Sequence, residues 1–364
     1  LLRPPPPEGT TPWGTSAWDE IASAGIDLLA AGPFGADWTD GALADAERWN
    51  AAAHARGIRT WVNLRELARA QPGTPEEARL RQVVEALRDD AGLALWKGAD
   101  EPWLSRWPPS LLAHAYATTR ALDPSRFSLL IQAPRGSVDG LRPYAAVGEV
   151  QSVDVYPVKY RVADPNLHWV GRWTRTLKQA TPRRVVTTTL GICFSGSFDR
   201  AGSGAYVVPT RQQARYMAYD AIMNGARGLI WFGGQNPACF GPGDHALGWN
   251  WTYWTAVLRP LVRELGVHSR LYPALVRWEP GPRVRASAWG TQVVARRVGR
   301  EVWVFAARHG RTPARVTISG LPRTVTGGWV YREGRRIRVT AGALTDTFRR
   351  WDVHVYRLRA RPNR

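Results

Sequence analysis

Segments typical of strands and of helices alternate along the first 269 residues of this 364-residue chain. Short apolar runs recur, and amphipathic stretches separate them. Such alternation favours parallel pairing of the strands, because a helix between two strands returns the chain to the same end of the sheet. The apolar runs are 26–31, 58–64, 96–101, 127–132, 150–156, 185–190 and 228–232, and an eighth strand, first in order, would end at about Leu1 and Leu2.

Eight strands and eight helices in about 250 residues predict a closed (β/α)8 barrel, a TIM barrel, over residues 1–269. An open, doubly wound sheet is the alternative, but no glycine-rich phosphate loop follows the first strands. Residues 270–364 have a different pattern, in which short alternating strands are separated by glycine, proline and polar turns. This pattern predicts a small antiparallel β-sandwich after the barrel, within an α/β fold class.

Basic charge is concentrated in the C-terminal part. The net charge is +19, and residues 270–364, with 21 Arg, no Lys and five acidic residues, contribute +16 of it. Single arginines in strand-like alternation, as in Val293–Val298, are typical of the solvent face of a sheet. We therefore expect no nucleic-acid partner. Contact of this domain with an anionic surface or polymer is the alternative.

The stretch Gly92–Trp103 joins a predicted strand to two adjacent carboxylates. A short apolar run ends at Asp100 and Glu101, and Pro102 follows. A buried strand does not need acids at its end, whereas barrel enzymes keep their chemistry at the carboxyl ends of the strands. The alternative is a helix N-terminus, where acids satisfy free N–H groups and Pro102 would begin the helix.

Tryptophan is abundant, with 19 residues, and several lie beside polar residues in predicted loops. Indoles bind the apolar faces of sugars and also stack on bases, but the small net charge of residues 1–269 favours sugars. The predicted platforms are Trp103, Trp231 and Trp249. The alternative is that Trp231 packs under the barrel rim and Trp249 under its own loop. No cofactor or metal is expected, since no spacing typical of metal ligands occurs.

Four segments together resemble a TIM-barrel glycoside hydrolase of the clan-A-like superfamily with a C-terminal β-sandwich, and the resemblance covers essentially the whole chain. They are Trp96–Trp103, Val153–Pro157, Gly225–Phe232 and the tail from Leu344 to Arg357. The resemblance implies an enzyme that cleaves glycosidic bonds of an oligosaccharide or polysaccharide. The superfamily's proton donor ends the fourth strand after an Asn, which matches Glu101 with Asp100 in place of Asn. A tryptophan that lines the sugar site ends the eighth strand and matches Trp231.

One departure from that superfamily concerns the seventh strand. Retaining members place a nucleophilic Glu at its end, but the segment Thr187–Cys193 contains no carboxylate. The usual double displacement cannot be carried over, and retention or inversion stays open. A non-catalytic glycan-binding barrel is one alternative function, and a cell-surface adhesion protein that uses the basic sandwich is another.

Glycoside hydrolysis generally uses two carboxyl groups, one protonated and one ionised. Glu101 is the predicted general acid, because the negative charge of Asp100 would help it to keep its proton. Asp154, which ends the sixth strand, is the predicted second carboxylate, within about 10 Å of Glu101. A capping or salt-bridging residue is the alternative for Asp154.

Other residues at the predicted strand ends are candidates for the same site. Glu66 and Asp37 are the further candidates for the second carboxylate and for substrate contacts. Tyr156 could donate a hydrogen bond to the substrate or to an acid, or it could be a core residue at the barrel rim. Gln132 could hold a sugar hydroxyl.

Cys193 and Cys239 are the only cysteines, and both follow late strands of the predicted barrel. We expect a disulfide that joins two adjacent loops, with two separate buried thiols as the alternative. The bridge would imply an oxidising compartment and a secreted protein, although no signal peptide is visible. No run of about eighteen apolar residues occurs, so no membrane span is expected.

Overall fold

A parallel sheet of seven strands forms the first part of the protein. The computed structural model describes residues 1–32, 34, 37–159, 165–193 and 206–360. Neighbouring strands pair in parallel in the order in which they occur in the chain. The strands are β1 Leu28–Ala31, β2 Arg59–Asn63, β3 Leu93–Asp100, β4 Phe127–Gln132, β5 Val150–Val155, β6 Val185–Gly191 and β7 Gly228–Phe232.

The N-terminal segment closes this sheet into a barrel. The backbone N–H of Leu2 donates to the carbonyl of Trp231 in β7 at 2.9 Å, and the carbonyl of Leu1 accepts from Ala30 in β1 at 2.8 Å. Leu1 and Leu2 therefore lie between the first and last strands, where the sequence predicts the end of an eighth strand. The predicted (β/α)8 barrel is confirmed.

Helices follow the strands and surround the barrel, as the alternation predicts. Helix α3 begins where the sequence predicts it, with the Thr74 side chain accepting from the Glu77 N–H and Pro75 at the first position. Thr210 and Gln213 form a capping box at the start of α7. The helices are α1 Ala17–Ala24, α2 Asp40–His54, α3 Pro75–Leu87, α4 Pro109–Leu122, α5 Val138–Leu141, α6 Trp169–Ala180, α7 Arg211–Met223, α8 Asp244–Leu247, α9 Trp251–Tyr253, α10 Arg259–Leu265 and α11 Tyr272–Val276.

Shorter helical turns complete the barrel. A π-helical turn, Trp254–Leu258, joins α9 to α10, and 3₁₀ turns lie at Arg65–Arg69, Arg142–Val147 and Pro237–Cys239. No helix among the described residues is long and apolar enough to cross a membrane.

The C-terminal part is the predicted antiparallel β-sandwich. One sheet has six strands in the order β14-β13-β16-β11-β10-β8, and the other has three in the order β15-β12-β9. Apolar side chains from both sheets pack between them, among them Val304, Ile318 and Phe348. The strands are β8 Glu279–Pro280, β9 Arg285–Ala286, β10 Thr291–Val298, β11 Glu301–Arg308, β12 Ala314–Ser319, β13 Val325–Val330, β14 Arg335–Arg338, β15 Ala343–Phe348 and β16 Val353–Ala360.

The six-stranded sheet packs on the barrel through α7. Phe305 of β11 belongs to the same apolar core as the barrel helices, and its ring lies 6.2 Å from that of Tyr219. Beside it, Arg215 donates to both carboxylate oxygens of the buried Glu264 and to the carbonyl of Val353 in β16. The predicted division at residues 269 and 270 falls between α10 and α11.

Arg296 corrects one prediction about this sheet. The sequence places it on a solvent face, but its side chain is buried, 4% exposed, and faces the barrel. It donates to the carbonyls of Ala274 and Ile222 at 2.9 Å, and it lies over the rings of Trp278 and Phe305. Burial lowers its pKa to about 10. Alternation alone could not reveal this, because the barrel covers the second face of the sheet.

Candidate active site

Asp154 is the last residue of β5 whose side chain points into the barrel. Val150, four residues earlier, belongs to the apolar core inside the barrel. The hydroxyl of Ser152 forms a hydrogen bond with the hydroxyl of Thr189 in β6. Because side chains alternate along a strand, Asp154 continues this inner row to the carboxyl end of the strand. It is 8% exposed.

Glu101 reaches the same edge through an irregular end of β3. The pairing of β3 with β4 shifts between Lys97 and Asp100, which is a β-bulge, and bulges commonly re-aim side chains beside active sites. Glu101 follows with a φ of 47°, and its N–H donates to the Ile131 carbonyl at 2.7 Å. A non-glycine residue in this left-handed region is strained unless its surroundings hold it there. Residues 101–106 form turns, and the next helix begins only at Pro109, so the two acids do not cap a helix.

The side chains of Glu101 and Asp154 meet. Their carboxyl groups interact directly, and Tyr156 forms a hydrogen bond with Asp154. Burial is the largest of the causes that raise the pKa of Asp154 well above its usual range, and the charges of Glu101 and Asp100 raise it further. The bond from Tyr156 opposes this rise, because it stabilises the carboxylate. Asp154 therefore keeps its proton to a higher pH than an ordinary Asp does.

Asp100 lies beside the pair and is held by a buried cation. Its carboxylate is 3.0 Å from the ammonium of Lys97, whose side chain is only 2% exposed, whereas that of Asp100 is 66% exposed. The charge of Asp100 acts on Asp154, as one of the causes of its raised pKa. Three carboxylates thus lie at this edge of the barrel.

The ring of Tyr156 lies against the end of β6, the strand that the sequence analysis counts as the seventh and that ends without a carboxylate. A Cβ added to Gly191, the last residue of β6, would lie 3.0 Å from the Tyr156 ring. The ring also packs near that of Phe232, with centroids 5.9 Å apart. Burial, and then the charges of Asp154 and Asp100, raise the pKa of Tyr156 well above its usual value, so Tyr156 acts as a hydrogen-bond donor.

A cleft of about 360 Å³ opens in front of Glu101 and Asp154. Trp169 and Trp173 of α6 form one side of it, and Trp169 is 42% exposed. These two indoles line the cleft, and the sequence prediction did not choose them. Their spacing of four residues, at the start of a predicted helix after the sixth strand, is the signal that could have found them. The remaining lining residues are Leu104, Ala133, Pro134, Arg135, Tyr156, Lys159 and Arg172.

The structure does not bring Trp231 or Trp249 to this cleft. Trp231 is 5% exposed and packs among the outer helices, because Ile230 and Phe232 are the residues of β7 on the inner side. Trp249 is 1% exposed, and its indole N–H donates to the Arg3 carbonyl at 3.1 Å. Both side chains lie where the alternative reading of the sequence placed them, under the rim and under a loop.

Trp103 and Gln132 lie beside the cleft and support its acid-bearing turn. The Trp103 ring packs over Gly136 and Gly140, where an added Cβ would lie within 3.0 Å of it. Its backbone N–H donates to the side-chain oxygen of Gln132 at 3.2 Å. Gln132 is fully buried, so it holds the turn that carries Glu101, while Trp103 remains 37% exposed at the rim.

Glu66 and Asp37 lie outside the residues that line the cleft. Glu66 accepts a hydrogen bond from the backbone N–H of Trp38 at 3.0 Å and lies 3.6 Å from the guanidinium of Arg65. It therefore ties the segment after β1 to the end of β2. The side chain of Asp37 is exposed.

Two loops beside the barrel mouth are joined by the disulfide between Cys193 and Cys239, as the sequence predicts. Cys193 follows β6, and Cys239 lies in the 3₁₀ turn after β7. Gly233 has a φ of 102°, and a Cβ there would lie 2.5 Å from the Cys193 carbonyl oxygen, so the two loops approach at their backbones. Among the described residues, no group of three or more His, Cys, Asp or Glu side chains could hold a metal ion.

Comparison with known proteins shows the fold. No protein-family model and no curated protein matches the chain. An α-amylase from Anoxybacillus superposes with a TM-score of 0.63 at 12% identity, covering 95% of this chain and 89% of that chain. A maltogenic α-amylase from Thermotoga neapolitana gives 0.60 at 12% identity, covering 94% and 93%. A glycoside hydrolase family 5 protein from Bacteroides vulgatus gives 0.58 at 13% identity, covering 94% and 84%.

These similarities agree with the architecture that the sequence resemblance implied. The matches extend over nearly the whole chain and so include the barrel and the sandwich together. The chain therefore has the fold of a TIM barrel with a C-terminal β-sandwich.

Proposed function

We propose that the protein is a glycoside hydrolase. The observation that carries the proposal is the pair of interacting carboxyl groups of Glu101 and Asp154, which line an indole-walled cleft at the carboxyl ends of the barrel strands. Barrel enzymes place their chemistry at this face. Cleavage of a glycosidic bond needs one carboxyl that keeps its proton and one that is ionised. Two carboxyls in contact favour this arrangement, because repulsion between two negative charges opposes the ionisation of both.

Glu101 is the proposed proton donor to the leaving oxygen. It is the more exposed member of the pair, and Asp154 lies deeper, where burial favours its protonated form. Asp154 therefore holds the shared proton next to Glu101, which passes it to the substrate. Tyr156 adjusts this equilibrium through its hydrogen bond to Asp154.

The Glu101 and Asp154 carboxyls interact directly, whereas the two catalytic carboxyls stand about 5 Å apart in retaining and about 6.5–9.5 Å apart in inverting glycosidases. The pair therefore serves as one proton-transfer unit, and the partner that assists the attacking group is a separate residue. Asp100 is the proposed partner, because it is the third carboxylate at this edge and 66% of its side chain is exposed.

Loss of hydrolysis in Glu101→Gln tests the proposal. The exchange keeps the size of the side chain and removes its proton transfer, so turnover should fall by about 10² or more. Substrates with an activated leaving group should lose less. Glu76→Gln, on the exposed first turn of α3, is the matched control and should keep the rate of the unmodified protein. Equal rates on an unactivated oligosaccharide would remove Glu101 from the role.

A non-catalytic glycan-binding barrel is the second candidate. The observation that favours it is the end of β6, where the ring of Tyr156 fills the space next to Gly191 that a nucleophilic side chain would need. A panel of oligosaccharides distinguishes the two functions. A binding protein should retain glycans without cutting them, and its affinity should be unchanged in Glu101→Gln.

The Cys193–Cys239 bridge supports an oxidising location for either function. We infer that the protein acts outside the reducing cytosol, and secretion is the simplest such route. Titration of thiols in the denatured, unreduced protein purified from its native source tests this. Two free thiols would contradict it.

A further inference from the structure

Three basic side chains converge on the cleft from three different elements. Arg135 follows β4, Lys159 follows β5, and Arg172 lies on α6 between the two indoles of the cleft wall. They come from separate loops and a helix, so their meeting is a property of the fold rather than of one charged stretch of sequence.

None of the three cations pairs with a carboxylate among the described residues. Other arginines of the barrel do have such partners, as Arg120 has with Glu149 at 3.2 Å and Arg126 with Asp123 at 3.0 Å. Unpaired cations in a concave site focus a positive potential and raise the local concentration of anions.

The acids that line the cleft do not cancel this charge. They are Glu101 and Asp154, and burial favours the neutral, protonated form of Asp154. Asp100, at the same edge, is paired with Lys97 at 3.0 Å, so the three cations of the cleft outnumber its negative charges. The net charge of residues 1–269 is only +3, so the excess is local and does not reflect a uniformly basic barrel.

We propose that the cleft binds a glycan with an anionic group, a carboxylate or a sulfate, on a sugar ring next to the proton-donating pair. This inference rests on the proposed function and narrows its substrate class. Guanidinium groups form paired hydrogen bonds with such planar or tetrahedral oxyanions, which gives Arg135 and Arg172 their role. Lys159 adds a point charge, and Trp169 and Trp173 take the apolar face of the ring.

Binding of a matched pair of sugars tests the inference. The probes are an oligosaccharide of hexuronic acids, its carboxyl-reduced neutral counterpart and a sulfated oligosaccharide, and calorimetry on the full chain carrying Glu101→Gln prevents their consumption. The uronate or the sulfated sugar should bind at least about tenfold more tightly than the neutral sugar. This preference should weaken as salt is added.

Charge variants in the same background locate the site. Arg135→Gln and Arg172→Gln should each reduce the affinity for the anionic sugar about tenfold more than the affinity for the neutral sugar. Arg175→Gln is the matched control on α6, because Arg175 bonds to Asn224 on the exposed side instead of lining the cleft. Its affinities should not change.

Failure of this inference is separable from failure of the proposed function. Equal affinity for anionic and neutral sugars, or no effect of the Arg135 and Arg172 variants, would overturn the inference. Hydrolysis by the unmodified protein is scored separately on the same sugars. Charge-selective binding without hydrolysis would support the anion site and contradict the enzyme.

Discussion

At the scale of single residues, burial of the Asp154 carboxyl makes the stability of the protein depend on pH. The pKa of this carboxyl is raised in the folded protein by burial first and then by the charge of Glu101. An unfolded chain ionises an Asp near pH 4, so the folded state binds the proton more tightly. The contribution of this group is fully present below about pH 4 and is lost as pH rises through the raised pKa.

Asp154→Asn should therefore stabilise the protein at neutral and alkaline pH. The amide is neutral at every pH, so the midpoint of thermal unfolding should rise by roughly a few degrees at about pH 8 and be nearly unchanged at about pH 4. Asp139→Asn, on the exposed surface of α5, is the control. A variant that is less stable than the unmodified protein at both pH values would show that ionised Asp154 does not destabilise the folded protein.

The sequence predicts that these two acids lie at the same edge of the barrel, but it does not resolve which indoles line the cleft. Glu101 and Asp154 lie at the ends of apolar runs. Their predicted position at the barrel edge stays the same if a strand boundary is wrong by one residue. The choice of Trp231 over Phe232 depends on such an error, because side chains alternate and a shift of one residue changes the face. Trp249 is buried under its loop, and sequence does not distinguish an indole that a loop covers from one that the loop presents to solvent.

At the scale of elements, the Cys193–Cys239 bridge fixes the segments after β6 and β7. The bridge spans 46 positions of sequence. A cross-link over a loop of this length lowers the conformational entropy of the unfolded chain. In the loop-entropy description this raises the free energy of unfolding by about 4 kcal/mol. The pairing was predictable, since the two cysteines follow adjacent strands of a barrel.

Replacement of both cysteines by serine should lower the free energy of unfolding by up to about 4 kcal/mol. Denaturant titration of the oxidised protein and the Cys193→Ser/Cys239→Ser variant measures the difference. A reducing agent should lower the midpoint of the unmodified protein and leave that of the variant unchanged. Equal midpoints for the oxidised protein and the variant would show that the loops are held without the bridge.

At the scale of the whole molecule, the sandwich supports the wall of the cleft. The sequence predicts both units but not their contact, because an apolar run such as Val302–Ala307 reads the same whether one face or both faces are covered. In the structure that strand is buried on both faces. The contact extends to His168, directly before α6, whose ring stacks on that of His309, with centroids 4.7 Å apart. Helix α6, which follows His168, carries the cleft residues Trp169, Arg172 and Trp173. The contact between His309 and His168 therefore links the sandwich to the wall of the cleft.

This histidine pair should make the contact between barrel and sandwich sensitive to acid. Burial lowers the pKa of both rings, and the charges of Arg172 and Arg350 near His168 lower its pKa further. For His309 the further causes are His168, Arg308 and Arg350. An unfolded His ionises near pH 6.5, so the unfolded chain binds more protons just below that pH. The stability contributed by the neutral pair is present above about pH 6.5 and is lost as pH falls toward the lowered values.

His309→Gln should reduce this loss, because it removes one of the two groups that would have to ionise in contact. The drop in thermal midpoint between about pH 7.5 and about pH 5 should be smaller in the variant than in the unmodified protein. His54→Gln, on the exposed surface of α2, should leave the drop unchanged. If the pair also holds α6 in place, sugar affinity at about pH 5 should fall less in His309→Gln than in the unmodified protein. An identical loss of stability in acid in both proteins would exclude the histidine pair as its cause. The buried contacts of Phe305 and Arg215 would then be the ones that hold the sandwich against the barrel.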